Sequence, residues 1–393
     1  MIFEPLLAPK VQEFIEDSIA LNFTKVALMK NPFPEIPWNE ILNQIASKAK
    51  AKEKLPSWYN QKNIIFPSKL SVEQTSSEAT AHYKSSLISG KNLIDLTGGF
   101  GVDDYYFSKN FDHLIHCEIK TFLHEITKHN FNLLKINNIE CHLGDSHETL
   151  KKLNQSFDWI YIDPSRRNDT KGKVFLLKDC LPNVPDFLAF YFQFTERILI
   201  KTAPILDISA GLNELKNVKE VHIVALQNEV KELLWIIEKN YNDTILIKAV
   251  NITKEENEVI EFTWGKENFN CNYSKPLFFL YEPNNAIMKS GAFDYICHLF
   301  PVKKLHPFSH LYTNTELIYF PGRKFKIIET ISYNKIDIKK HLEGKKANIT
   351  TRNFPETVET IRKKWKIKEG GNLYTFFTTD LDNNKIILLC EKI

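Results

Sequence analysis

The stretch NLIDLTGGFGVDD, Asn92 to Asp104, decides how this chain is read. In it an apolar strand, Leu93 to Leu96, runs into Gly98, Gly99 and Gly101 and then into a helix-like segment. Glycine at a strand-to-helix turn permits positive φ angles and lets a ligand approach the backbone where a Cβ would collide. Such a turn is common to many proteins, so its meaning depends on the residues downstream. Three of these features stand out: Glu118 after the next apolar run (Leu114, Ile115), Gly144-Asp145 after a third run, and FDWIYIDPSRR from Phe157 to Arg167.

The order of these features resembles that of the class I S-adenosyl-L-methionine (SAM) dependent methyltransferases. The resemblance implies that Asp95, Thr97, Gly98, Gly99 and Gly101 form the first motif, which wraps the methionine part of SAM. Thr97 stands where the usual first glycine lies, a replacement familiar among nucleic-acid methyltransferases. The resemblance further implies that Asp145 binds the adenine amino group. Glu118 falls 17 positions beyond Gly101, close to the roughly 20-residue spacing at which a carboxylate accepts hydrogen bonds from ribose hydroxyls. Asp163-Pro164-Ser165-Arg166-Arg167 occupies the fourth motif, where the methyl acceptor meets the sulfonium.

A dinucleotide-binding turn competes for the same glycines, but it needs G-x-G-x-x-G. Here Gly99-Phe100-Gly101 is followed by Val102, Asp103 and Asp104. Two carboxylates at a helix start oppose a pyrophosphate, whereas a cofactor with a sulfonium and an ammonium group tolerates them.

Strand-like runs near 114 to 117, 157 to 162, 197 to 201, 221 to 226 and 244 to 250 alternate with helical ones, the pattern of a parallel doubly wound sheet. The expected fold is α/β, a Rossmann-like doubly wound sheet of the class I methyltransferase type. Residues 1 to 70 read as a helical N-terminal module, with helices over 11 to 28 and 38 to 54 separated by the proline-rich turn 31 to 37. A further helix is expected to start near Thr75, where Thr75-Ser76-Ser77-Glu78 offers a capping box. The methyltransferase domain then spans 71 to 252, with small α+β units after it. The segments EQTSSEATAHYK, LYEPNNAIMKSGA and the tail KKANITTRNFP with IRKKWKIKEGG resemble a bacterial methyltransferase family whose C-terminal domain is THUMP-like. That resemblance implies a small ferredoxin-like segment at 253 to 320 and a basic THUMP-like domain at 321 to 393; true THUMP domains bind RNA.

Charge is distributed unevenly. From Pro301 to Ile393 there are 18 Lys and Arg against 10 Asp and Glu, although the whole chain carries only +3. Such asymmetry points to an anionic partner. The densest basic run includes Lys363, Lys364, Trp365 and Lys366 and suits a phosphate backbone and a stacked base; the alternative is a solvated helix face anchored by Trp365.

In amino-group methyltransferases the fourth motif is Asp or Asn, Pro, Pro and an aromatic. Asp163 and Pro164 keep the first half, while Ser165 and Arg166 replace the rest. The expected catalytic residues are Asp163, Pro164 and Arg166: Asp163 orients the acceptor for in-line transfer, and the Arg166 plane stacks on a base. Arg167 and Lys201 are expected to contact substrate. No cysteine accompanies Lys201, and Cys180 has no neighbouring histidine, which disfavours the covalent mechanism of pyrimidine carbon methylation.

The six cysteines are spread singly, which predicts neither a disulfide framework nor a zinc site. No metal is expected. The chain lacks an apolar run of membrane-spanning length and a secretory signal, which predicts a cytoplasmic protein. The function expected from these residues is SAM-dependent methylation of an RNA base nitrogen. Methylation of a small molecule or protein, and a catalytically inactive SAM-sensing or RNA-binding protein, are the alternatives.

Overall fold

The computed structural model describes residues 3–166, 176–266 and 269–393. The chain divides into two compact units, Met1–Val221 with Lys231–Asp243, and His222–Val230 with Thr244–Ile393.

The first unit is built on β1 (Gly90–Asp95), β2 (Phe111–Glu118), β3 (Ile139–Leu143), β4 (Trp159–Ile162), β5 (Arg197–Thr202), the start of β6 (Val218–Leu226) and most of β7 (Glu229–Glu238). The order β7-β5-β4-β1-β2-β3 is parallel except at β7, which runs antiparallel to β5. The chain reverses its direction of winding at β1 and β4, the crevice in which ligands of doubly wound sheets bind. Leu93, Ile94, Ile160, Ile162, Ile198 and Ile200 are all fully or almost fully buried, the continuous apolar runs that strands covered on both faces require.

Strand β7 was not apparent in the sequence. Its Leu233 to Ile237 segment is buried without alternation, so periodicity cannot separate it from a buried helix. Its connection to β6 is the two-residue turn Gln227-Asn228, with both residues at positive φ, the geometry of a tight hairpin formed without glycine.

The N-terminal helices belong to the first unit. The expected helix over 11 to 28 is two helices, Pro9–Ile19 and Phe23–Ala27, because Asn22 caps the second by accepting from the amides of Thr24 and Lys25. Helix Trp38–Lys54 comes next. The helix expected near Thr75 is Glu78–Leu87, because Thr75 instead closes the preceding helix Lys69–Gln74. Ser77 is its cap and Thr80 completes the capping box. Glu78 is spent elsewhere, accepting from the amide and hydroxyl of Ser57.

This module shares a core with the glycine turn. The Phe100 ring lies 4.7 Å from Trp58 and 6.0 Å from Phe66, measured between ring centroids. Asn130 adds a reciprocal pair of hydrogen bonds with the backbone of Ile65, at 3.0 and 2.8 Å.

The second unit holds the remainder of β6, β8 (Leu246–Ile252), β9 (Glu258–Thr263), and a separate sheet of β10 (Phe279–Pro283), β11 (Lys303–Lys304), β12 (Tyr312–Asn314), β13 (Gly322–Ser332), β14 (Asn348–Arg352), β15 (Leu373–Thr379) and β16 (Lys385–Lys392). The order of that sheet is β11-β12-β10-β13-β16-β15-β14, and only β14 and β15 are parallel. Helices Lys335–His341 and Val358–Trp365 contribute Ile338, Ile361 and Trp365 to a core with Phe377 and Ile387. Gly291 ends helix Asn285–Ser290 in the left-handed conformation.

Cys271 and Cys297 form a disulfide, contrary to the expectation of unpaired thiols; Cys117, Cys141, Cys180 and Cys390 are not disulfide-bonded. Among the described residues no helix is long and apolar enough to cross a membrane, and no cluster of His, Cys, Asp and Glu is arranged to hold a metal.

Candidate active site

The carboxyl ends of β1, β2 and β4 bring the first and fourth motifs together. Asp95 ends β1 and is buried; its Oδ1 accepts from the Thr97 amide at 2.7 Å and from the Thr97 hydroxyl at 3.0 Å. The same hydroxyl accepts from the Asp163 amide at 2.7 Å. Thr97 therefore joins the glycine turn to the start of the fourth motif, a task glycine cannot perform.

The glycines are fixed by close packing. A Cβ on Gly98 would stand 2.2 Å from the His116 ring, and one on Gly101 would stand 2.4 Å from Phe131. Gly99 and Gly101 both have positive φ, 59° and 77°, the conformation that favours glycine. The Gly99 carbonyl is held by the Thr127 hydroxyl at 3.0 Å.

The two carboxylates after the turn face inward. Asp103 accepts from Ser76 at 2.9 Å and Tyr161 at 2.8 Å, and its Oδ1 lies 3.3 Å from the Lys84 ammonium. Burial alone would raise its pKa, but Lys84, Lys201 and these two hydroxyls hold the carboxyl below its usual range. Asp104 Oδ2 lies 2.5 Å from His116 Nδ1, with both side chains fully buried. Burial raises the Asp104 pKa and lowers that of His116, so this contact is a hydrogen bond between groups that resist charge. The expectation that Asp103 and Asp104 would confront a ligand at the helix start is thus corrected: each is spent on an internal partner.

Glu118 ends β2 and is 8% exposed. Its Oε1 accepts from the Lys120 amide at 2.6 Å. Asp145 is exposed and caps helix Ser146–Leu153 through the amides of His147 and Glu148. It also borders a cavity of about 640 Å³ lined by His147, Phe187 and Phe190. The open turn, a Gly144 with no atom within 4 Å of where its Cβ would be, and the carboxylates of Glu118 and Asp145 at adjoining strand ends are compatible with a bound nucleoside carrying an amino-acid moiety.

Asp163 lies just beyond β4. Its Oδ2 is 2.5 Å from the Lys201 ammonium at the end of β5. Lys201 is 9% exposed. Burial would lower its pKa, but Asp163, Asp103 and Glu232 outweigh burial and raise it, so Lys201 is a cation. Pro164 is buried and Ser165 exposed. Arg167 lies outside the described residues, and Arg166 is described in its backbone alone, which pairs with Cys180. That pairing brings Cys180 beside the fourth motif, yet its thiol is buried, with the Leu176 carbonyl 3.8 Å away.

Sequence reasoning missed the ion cluster behind the site. Lys84 is completely buried and donates to both Glu232 oxygens, at 2.7 and 2.9 Å, and to Ser76 at 3.1 Å. Lys84 lies within the EQTSSEATAHYK segment, but its partner is 148 residues away on β7. Locally, Lys84 shares the buried face of helix Glu78–Leu87 with the small residues Thr80, Ala81 and Ser85.

Lys363, Lys364 and Lys366 are in the second unit. Lys364 pairs with Glu356 at 3.0 Å and donates to the Tyr333 hydroxyl at 3.1 Å, while Trp365 is a core residue at 8% exposure. Lys363 and Lys366 are exposed.

Two family models match the chain: a ferredoxin-like domain over residues 279–321 and a THUMP domain-like domain over 322–392. A crystal structure of a proposed methyltransferase from Porphyromonas gingivalis W83 is 30% identical, with a TM-score of 0.85 over 99% of this chain and 98% of that one. An rRNA methylase from Streptococcus thermophilus (14% identity, TM-score 0.30) matches over 41% of this chain and 93% of its own. A proposed methyltransferase from Streptococcus mutans solved with S-adenosylhomocysteine (17%, 0.30) matches over 41% and 96%. Scores of 0.30 are too low to support any conclusion about this chain. No curated protein sequence matches.

Proposed function

The chain belongs to the class I SAM-dependent methyltransferases that end in a THUMP-like domain, and from that premise we propose that it methylates a nitrogen of an RNA base. The observation that carries this reading is the Asp163–Lys201 pair at the acceptor edge of the glycine turn. Lys201 occupies Oδ2, and among the described residues Oδ1 has no donor. An amino or ring N–H of the acceptor donates to Oδ1, which turns the nitrogen lone pair toward the methyl group. Holding the nucleophile in line is the main task in such a transfer, since proximity and orientation account for much of the barrier.

SAM supplies a methyl group on a positively charged sulfur. Glu118 accepts from its ribose hydroxyls, Asp145 from its adenine amino group, and the turn Gly98 to Gly101 lies along its methionine portion. Asp95 and Thr97 act one step back, by fixing that turn and the Asp163 amide. Arg166 and Arg167 are assigned to the base and its phosphate. RNA as the acceptor is supported by the THUMP-like match and by the positive charge after Pro301. Lys363 and Lys366 are the members of the basic run still available for phosphate. A cytoplasmic site of action is part of the same proposal.

The reading is tested by incubating the protein with methyl-labelled SAM and, in parallel, total RNA, protein extract and small-molecule extract, with nucleoside mass spectrometry of the products. Label in an N-methylated nucleoside is expected. Label confined to the protein or small-molecule fraction rejects RNA as the acceptor. Absence of SAM binding rejects catalysis.

A further inference from the structure

Three ionisable side chains lie directly beneath the glycine turn. Asp95 on β1 and His116 on β2 are partners in the parallel register, so their side chains leave the sheet on one face. Asp104, in helix Val102–Phe107, reaches the same place, with Oδ2 2.5 Å from His116 Nδ1. The turn rests on this cluster: the Gly98 amide donates to the Cys117 carbonyl at 2.9 Å, and the His116 ring fills the space in which a Gly98 Cβ would stand. All three side chains are buried.

The cluster has no cation of its own. Asp103 is answered by Lys84, but among the described residues no lysine or arginine lies within ion-pair distance of Asp95 or Asp104. Asp104 Oδ1 is buried and receives no N–H or O–H donor, while the Asp95 carboxyl comes near enough to share a hydrogen bond with the Asp104 carboxyl. Two carboxyl groups share a hydrogen bond only when one of them carries a proton, and like charges in a dry site resist ionising together. Burial accordingly raises the pKa of both carboxyls, with Asp104 adding to the shift of Asp95, and Asp103 to that of Asp104 against the bond from Asp95.

The other titratable groups around the cluster do not supply the missing charge. Burial lowers the His116 pKa against the pull of Asp95 and Glu118. His124, on helix Thr121–Leu133, is lowered as well, by burial and then by His116. The Cys117 and Cys141 thiols are pushed up by burial and stay neutral. The turn therefore sits over a buried acid pair that holds a proton.

We propose that this cluster distinguishes SAM from its product: Asp95 and Asp104 share a proton while the turn carries no cofactor or the neutral thioether of S-adenosylhomocysteine, and release it to solvent when the sulfonium binds. The inference rests on the reading of the glycine turn as the SAM site and deepens it. The charge on the cofactor takes the place of the proton as the partner of the second carboxylate. Once the sulfur has lost that charge, the cluster takes a proton back from water and its hold on the cofactor falls. His116 keeps Asp104 under the turn, and Thr97 does the same for Asp95.

The test is calorimetry of the full chain with SAM and with S-adenosylhomocysteine at about pH 6.5, where the amino groups of both ligands stay largely protonated. Two buffers that differ in heat of ionisation are used, because the dependence of the measured heat on buffer counts the protons released. About one proton is expected for SAM and about none for S-adenosylhomocysteine, so SAM affinity rises towards about tenfold per pH unit while that of the product stays level. In Asp104→Asn, which keeps the shape of the side chain, the proton release with SAM is expected to vanish and the ratio of the two affinities to lose its dependence on pH. A residue that served only as packing would shift both affinities alike. Equal proton counts for the two ligands in the wild-type protein, or undiminished release in a folded Asp104→Asn protein, overturn the role of the cluster and leave the cofactor site standing. Binding of neither ligand overturns both. If Asp104→Asn does not fold, the wild-type proton counts decide.

Discussion

The ammonium of Lys201 and Oδ2 of Asp163 are 2.5 Å apart, at the ends of neighbouring parallel strands. Lys201 is nearly buried and Asp163 is partly open, so the pair presents one carboxylate oxygen outward from a fixed base. The expected consequence is that Lys201→Met lowers kcat about as much as Asp163→Ala while leaving SAM affinity within a few fold, because both changes remove an alignment that matters most in the transition state. Steady-state kinetics and SAM titration of the two variants provide the check. Full turnover in a folded Asp163→Ala protein would reduce Asp163 to a structural residue.

Glu118 is assigned to the ribose of SAM. Glu118→Ala removes a charged acceptor and should weaken SAM binding by about 1.5 to 3 kcal/mol. Calorimetry measures it directly, and undiminished affinity in a protein with normal thermal unfolding would remove Glu118 from the cofactor site.

Lys84 tests the buried cluster. Lys84→Met leaves Glu232 and Asp103 without their cation in a site closed to water, and breaking one side of a buried pair costs about 3 to 5 kcal/mol. A lowered melting temperature is expected. Burial already pushes the Glu232 pKa up against the pull of Lys84, so the double variant Lys84→Met with Glu232→Gln should recover part of the loss. Identical melting of the single and double variants would show that the two side chains are not energetically coupled.

Lys54 offers a titration. Its folded pKa of about 8 lies below the ordinary value of 10.5, so between those values the unfolded chain binds more protons than the folded one. By linkage, the contribution of Lys54 to stability rises with pH across this window and is at its least favourable below pH 8. Reductive methylation with labelled formaldehyde, read by NMR, should give one lysine signal titrating near pH 8 that disappears in Lys54→Gln. The raised pKa of Lys201 keeps its signal out of this range. If every lysine signal titrates above pH 10, the burial of Lys54 and the nearby ammonium groups do not lower its pKa in solution.

The turn from Asn92 to Asp104 could be read from sequence because its determinants are local: an apolar strand, glycines at positive φ and a helix start within thirteen residues. Asp163 and Lys201 could be placed at strand ends for the same reason. What could not be read depended on contacts between distant segments. Glu232 lies in a strand buried on both faces, whose apolar run carries no period, and its meaning appears only when Lys84 is brought beside it. Asp103 and Asp104 looked like groups facing a ligand because nothing near them in sequence announces Ser76, Tyr161 or His116 as partners. In the basic run, Trp365 had two readings that composition weighs equally, and burial against Ile361 and Phe377 decides for the core.

Phe100 is one of the residues between the glycines of the turn, yet its ring is packed against Trp58 and Phe66. A change at one end of this contact is therefore felt at the other. A smaller residue at position 58 would have to be answered at position 100, inside a turn whose glycines are already fixed by packing on His116 and Phe131, and homologues should show these positions changing together or not at all. A chain begun at residue 71 would expose Phe100 and forfeit the packing that sets the shape of the turn. In heredity, if not in sequence, the first seventy residues and the glycine turn are one part.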